Sequence, residues 1–137
     1  MLLQVFVSVL SLSTCLGFKV YEKQIPNGDA VPHPCVDGTL WNGVGHITSS
    51  GGGQRNLFGD AFRQNGHMWT LELCTDDTDL DGVPNGVELG DPSCVWTVGD
   101  TPAGPATGHP GICEPTTLQK CIDYNYHYHI DCRPVNG

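Results

Sequence analysis

Cysteine content constrains this chain more than any other feature. The 137 residues include seven cysteines, 18 glycines and 10 prolines. Six of the cysteines follow residue 17, namely Cys35, Cys74, Cys94, Cys113, Cys121 and Cys132. An even set in one small domain predicts three disulfides, which would stabilise a chain whose apolar core is modest. Many connectivities remain open at this stage, and the last three cysteines lie close enough in sequence for one bridge within the C-terminal tail.

The seventh cysteine, Cys15, belongs to the N-terminal segment MLLQVFVSVLSLSTCLG. This segment is apolar over about a dozen residues and then reaches small residues, which is typical of a secretory signal peptide. The apolar run is too short for an ordinary transmembrane helix. We therefore predict that residues 1–17 are removed and that the mature chain begins near Phe18. It would be secreted, extracellular and not inserted in a membrane.

Charge and motifs narrow the class of function. The formal net charge is −9, which disfavours nucleic acids and anionic membranes as partners. The sequence has no nucleophile elbow, phosphate-binding loop or zinc-protease motif. These features favour binding over catalysis.

Asn-Gly pairs divide the chain into short elements, because both residues tolerate the positive φ of tight turns. Apolar alternation over residues 68–74 predicts a half-buried strand, and residues 19–24 and 94–99 are weaker strand candidates. The stretch QRNLFGDAFRQN has helical spacing and is followed by Asn65-Gly66, so it predicts a helix.

A second helix is predicted to begin at Thr116, which has capping-box spacing to Gln119. We thus predict one α+β domain over residues 18–112. It would be a small, disulfide-stapled, loop-rich fold with short strands, one or two short helices and an isolated DxDxDG calcium loop. Residues 113–137 would form a cysteine-bearing tail.

The acidic stretch DTDLDGVPNGVE, residues 77–88, has the ligand spacing of a twelve-residue calcium loop. The predicted ligands are Asp77, Asp79, Asp81, the carbonyl of Val83, Asn85 directly or through water, and Glu88. Pro84 lacks the amide with which such loops pair in EF-hands, so we predict an isolated structural site rather than a switch. The alternative is an acidic run that merely faces solvent, but uncompensated carboxylates this close would repel one another.

Six segments occur together in a characteristic order: IPNGDAVPHPC, LWNGVGH, GGGQRNLFGDAF, WTLELC, DTDLDGVPNGVELGDPSCVW and GHPGIC. In this respect the chain resembles the temptin family of secreted mollusc proteins. The resemblance implies a component of a water-borne pheromone blend, whose partners would be a co-secreted attractant peptide or a chemoreceptor. It also implies two core disulfides among Cys35, Cys74, Cys94 and Cys113, and a metal-binding loop.

Histidines supply the main alternative. His46 and His109 lie in glycine-flanked turns and could hold copper or zinc in a secreted metalloenzyme, although each could equally bond a nearby carbonyl. His127 and His129 would share one face of an extended segment, which is a candidate interaction strand. A further alternative is an extracellular-matrix or shell-associated calcium protein.

Overall fold

The computed structural model describes residues 20–130 and Cys132, so the predicted signal peptide lies outside the described residues. Four short helices lie wholly within this part of the chain: α1 at Leu57–Gln64, α2 at Leu71–Thr75, α3 at Asn85–Glu88 and α4 at Gln119–His127. Residues 20–22 are also helical. None of them is long and apolar enough to cross a membrane. Over the same residues, β pairing amounts to isolated bridges between Pro32 and Leu40 and between His46 and Arg55.

Helix α1 confirms the helix predicted around residues 54–65. The Asn56 side chain caps it by accepting a hydrogen bond of 2.9 Å from the Gly59 amide. The helix ends before Asn65, and Gly66 adopts a positive φ of 71° that favours glycine. Phe58 and Phe62 face the core from this helix.

Helix α2 shows that the strand predicted at residues 68–74 was wrong. The Thr70 hydroxyl accepts a hydrogen bond of 3.1 Å from the Leu73 amide and donates one of 2.6 Å to Asn65 Oδ1. This cap starts a helix, because it satisfies an amide that would otherwise lack a partner. The burial does not alternate as it would in a half-buried strand. Leu71 is 69% exposed, whereas the consecutive residues Leu73 and Cys74 are both buried.

The two weaker strand predictions were also wrong. Residues 20–22 are helical and residues 23–24 form a turn. Residues 94–99 follow Asp91, whose carboxylate accepts hydrogen bonds from the Val95 and Trp96 amides. A side chain therefore takes the amides that a strand would have given to its neighbour.

Helix α4 begins at Gln119 and not at Thr116, with Leu118 at the N-cap and no side-chain cap. The predicted second helix exists, but its capping box does not form. The interaction strand predicted around His127 and His129 was wrong, because His127 is the last residue of this helix. The rings of Tyr124 in this helix and of Tyr128 at its C-cap lie 4.6 Å apart.

The core is small. A cluster of buried apolar side chains joins Ile25, Val31, Val44, Phe58, Phe62, Leu73 and Leu89. Trp41 is completely buried and lies between the rings of His33 and His109. A core of this size needs covalent support, which the disulfides supply.

Three disulfides are present, as predicted: Cys35–Cys132, Cys74–Cys94 and Cys113–Cys121. The bridge expected within the tail is Cys113–Cys121. The two-bridge core set implied by the resemblance was wrong, because Cys35 and Cys113 pair with tail cysteines. Residues 113–130 pack on the rest of the domain, and the described residues form a small disulfide-rich fold with short helices and little strand.

Candidate metal-binding site

The acidic loop lies between α2 and α3 and gathers three carboxylates. Ligand oxygens of Asp77, Asp79 and Asp81 all lie within 4.8 Å of one another. Asp77 Oδ2 accepts a hydrogen bond from the Gly82 amide at 2.9 Å, which closes the turn. Gly82 has a φ of 96°, so the sixth position of the loop requires glycine as the spacing predicted.

Two carboxylates at this site are buried without a complete set of partners. Asp79 is 0% exposed and Glu88, the last residue of α3, is 3% exposed. Asp79 Oδ2 and Glu88 Oε2 accept no hydrogen bond from residues 20–130 or Cys132. Buried polar atoms almost always have a partner, so these oxygens require an explanation.

The pKa values of these two carboxylates also favour a bound cation at this position. Burial, followed by the charges of Glu88 and Asp81, raises the pKa of Asp79 to about 11. Burial also raises the pKa of Glu88 to about 9, with contributions from the nearby carboxylates of Asp81, Glu114 and Asp77. A cation among these groups would stabilise their ionised forms, because an opposite charge favours the charged state.

Asn85 differs from the other predicted ligands because hydrogen bonds within the protein already engage its side chain. Its side chain is buried, accepts a hydrogen bond of 2.9 Å from Thr78 Oγ1 and donates one of 2.8 Å to the Leu73 carbonyl. These bonds tie the start of the loop to α2 and α3. Val83 lies at the rim of the loop and is 37% exposed.

Three residues of the C-terminal tail also reach the loop, and sequence reasoning missed them. The Glu114 amide donates to Asp81 Oδ2 at 3.3 Å, and Lys120 Nζ donates to the Asp81 carbonyl at 3.3 Å. The Tyr124 hydroxyl lies 3.5 Å from the Thr78 carbonyl. Burial first, and then the neighbouring acidic groups, raises the pKa of Tyr124. Detecting these contacts would have required the Cys113–Cys121 pairing, which the sequence left open.

The histidines of the alternative hypothesis have other surroundings. His109 is fully buried, its Nδ1 accepts a hydrogen bond of 3.1 Å from the Gly111 amide, and its ring packs edge-on against Trp41. His46 lines a cleft of about 310 Å³ together with Phe58 and Phe62. Among the described residues, the one group of three potential metal ligands is Asp77, Asp79 and Asp81, which includes neither histidine.

Comparison with known proteins places the chain in a family. A family model described as Temptin C-terminal matches residues 15–112. The chain belongs to the temptin family. Temptin from Aplysia californica is 47% identical to it over 116 residues, which cover 83% of this chain and 93% of that protein. No solved structure matches. The resemblance inferred from the sequence motifs is thereby confirmed, and the temptin match includes the whole acidic loop.

Proposed function

We propose that this chain is a secreted, calcium-binding member of the temptin family that acts as an extracellular chemical signal. It would be a pheromone component or the carrier and partner of a co-secreted attractant peptide. Membership of the family supports the signalling role. The observation that carries the calcium proposal is the pair of buried, unpartnered carboxylate oxygens on Asp79 and Glu88.

The donor set fits calcium. Carboxylate and carbonyl oxygens are hard ligands, and Ca²⁺ accepts six to eight of them in a flexible geometry. The residues that would hold the ion are Asp77, Asp79, Asp81, Glu88 and the Val83 carbonyl, with water completing the shell. We leave Asn85 out of this set because Thr78 and Leu73 already engage its side chain. Extracellular calcium sites of this type are filled at the millimolar concentrations found outside cells.

The proposed role of calcium is structural. The ion would join the loop to α3, and the Cys74–Cys94 bridge closes the same region from the other side. The Glu88 carbonyl accepts hydrogen bonds from the Thr107 and Gly108 amides at 2.7 and 3.3 Å, so fixing Glu88 also fixes residues 107–109. Calcium would thus hold several loops in one conformation that a partner or receptor can recognise.

Binding, not catalysis, is the proposed activity. His109 Nε2 is also buried without a hydrogen-bond partner among the described residues, but no group of three potential metal ligands there includes His46 or His109, which disfavours the metalloenzyme alternative. No contact among the described residues favours the matrix or shell alternative. Elemental analysis separates them: we expect about one calcium per chain and no stoichiometric copper or zinc. A full equivalent of copper or zinc that is lost on His109→Ala would support the enzyme instead.

The signalling proposal is tested with the oxidised mature protein in millimolar calcium. We expect it to bind peptides from the same secretion by calorimetry and to attract conspecifics when mixed with them. Asp79→Asn protein serves as the matched sample without the metal site. A calcium-loaded protein that neither binds these peptides nor attracts conspecifics would count against the signalling role while leaving the metal site in place.

A further inference from the structure

Glu114 lies beside the acidic loop although it comes from the tail. Its amide donates to Asp81 Oδ2 at 3.3 Å, and its Oε1 accepts a hydrogen bond of 2.7 Å from the His109 amide. Glu114 is therefore held through its main-chain amide and through one oxygen of its carboxylate. Its second oxygen, Oε2, accepts no hydrogen bond from the described residues.

The carboxylates of Glu114 and Glu88 face the same backbone position. A Cβ built on Gly108 would lie 2.9 Å from Glu88 Oε1 and 3.5 Å from Glu114 Oε1. Each group also lies near Asp81, whose charge contributes to the raised pKa of both glutamates. Two partly or fully buried glutamates this close would repel each other unless a cation lay between them.

The tail is well placed to hold Glu114 there. The Cys113–Cys121 bridge closes a short loop around Glu114. The buried side chain of Asn125 accepts from the Cys113 amide and donates to the Cys113 carbonyl, both at 3.1 Å. Glu114 is thus anchored through its neighbour in a way that does not depend on the acidic loop.

We propose that Glu114 is a further ligand of the calcium ion in the loop of residues 77–88, and that this ion joins the C-terminal tail to the loop. The inference rests on the calcium site proposed above. It extends that site to a residue outside the twelve-residue loop and beyond residues 15–112, which the temptin family model matches. Four loop carboxylates and Glu114 would then surround one ion, with Lys120 at the edge compensating part of the remaining charge.

Calcium removal should consequently loosen the tail. Without the ion, the carboxylates of Glu114, Glu88 and Asp81 repel one another, and this repulsion acts directly between tail and loop. The disulfides Cys35–Cys132 and Cys113–Cys121 keep the tail tethered, so the change would be local and not a global unfolding.

The experiment is a calcium titration by calorimetry of the full oxidised chain at physiological salt, comparing wild type, Glu114→Gln and Glu72→Gln. Glutamine keeps an oxygen that can accept from the His109 amide, so the structural bond survives while the charge is lost. Glu72 is exposed on α2, and its side chain makes no hydrogen bond or ion pair with the described residues, so it is a control for the loss of one charge nearby. We expect Glu114→Gln to weaken calcium binding by at least about tenfold, because it removes a charged ligand from a site of low dielectric.

The control should change the affinity by less than about twofold, because salt screens exposed charges. Amide hydrogen exchange supplies a second readout. Calcium should protect α4 in the wild type and protect it less in Glu114→Gln even when the loop is saturated.

The outcomes separate the two proposals. If the wild type binds calcium and Glu114→Gln binds it equally well, Glu114 is not a ligand and the loop site stands alone. Equal weakening by Glu72→Gln would also overturn the inference, because it would indicate a general charge effect. Wild-type protein that binds no calcium in the titration would refute the site itself.

Discussion

Asp79 and Glu88 come from opposite ends of the acidic loop, yet each keeps one carboxylate oxygen buried and without a hydrogen-bond partner in the described part of the chain. The charge of Glu88 also contributes to the raised pKa of Asp79. In the metal-free protein this pair opposes folding, because burial removes the hydration of each carboxylate and the neighbouring negative charges add repulsion. The same arrangement becomes favourable when a cation binds.

The first prediction is therefore a reversal of relative stability on Asp79→Asn. In chelator, the variant should be at least as stable as the wild type, because it removes a buried acidic group that lacks partners. In calcium about a hundredfold above the dissociation constant, the wild type should gain about 2.7 kcal/mol while the variant gains little. Thermal unfolding with and without calcium measures both effects.

The matched control for this prediction is Asp76→Asn, which changes an exposed acidic residue next to the loop. It should retain the calcium-dependent gain in stability. If Asp79→Asn and wild type responded equally to calcium, Asp79 would not be a ligand.

Local patterns predicted the clustering of Asp77, Asp79 and Asp81 better than they predicted the fold. The acidic residues fall at calcium-loop spacing within twelve positions, so their convergence depends only on a tight turn with glycine at Gly82. Helix α1 could be predicted equally well, because its apolar spacing and the Asn65-Gly66 pair that ends it lie within a few residues of one another.

The errors came from information that local spacing does not carry. Helix α2 depends on the bond between Thr70 and Asn65, a pairing that competes with the alternating pattern of Trp69, Leu71 and Leu73. Glu114 reaches the loop only because the tail folds back through disulfides whose connectivity was open. A single sequence gives residue types at such positions but not their distant partners.

The second prediction concerns Asp91, which organises the chain around Cys94. Its carboxylate is 1% exposed and accepts hydrogen bonds from Trp69 Nε1 at 2.9 Å and from the amides of Val95 and Trp96 at 3.0 and 3.2 Å. Asp91→Ala leaves these donors without an acceptor, so we expect a loss of about 3 kcal/mol in the free energy of unfolding. Urea unfolding followed by tryptophan fluorescence measures this loss.

Asp37→Ala provides the comparison for Asp91, because Asp37 is exposed. That control should change the free energy of unfolding by less than about 0.5 kcal/mol. A similarly small effect of Asp91→Ala would show that water replaces the lost acceptor.

The third prediction concerns Gly86 in α3, where the helix passes directly over the Cys74–Cys94 bridge. A Cβ at residue 86 would overlap Cys74 Sγ and would lie 2.6 Å from the Asp91 carbonyl oxygen. Gly86→Ala should therefore destabilise the protein by about 1–3 kcal/mol and weaken calcium binding, since α3 also carries Glu88.

Gly104→Ala is the control for Gly86, because a Cβ at residue 104 would have no heavy atom within 4 Å. Unfolding and calcium titration of both variants measure the two effects. Should Gly86→Ala keep wild-type calcium affinity despite lower stability, the position of α3 would not control the ion.

The fourth prediction is a pH dependence that originates at His109. Burial lowers the pKa of its imidazole to about 3, from an ordinary value near 6.5. The unfolded chain therefore binds a proton that the folded chain does not bind between these two values. The free energy of unfolding should fall as the pH drops from about 6.5 toward 3, by up to about 1.4 kcal/mol per pH unit from this group.

This contribution is isolated by comparing wild type with His109→Gln in chelator, so that loss of calcium at low pH does not enter. As the pH falls from about 6.5 toward 3, the free energy of unfolding should fall more for the wild type than for His109→Gln. Only the wild type must keep residue 109 unprotonated to remain folded. His129→Gln, at an exposed residue, serves as the comparison variant. If the difference in the free energy of unfolding between wild type and His109→Gln stayed constant from about pH 6.5 to 3, the folded protein would accommodate the charged imidazole beside Trp41.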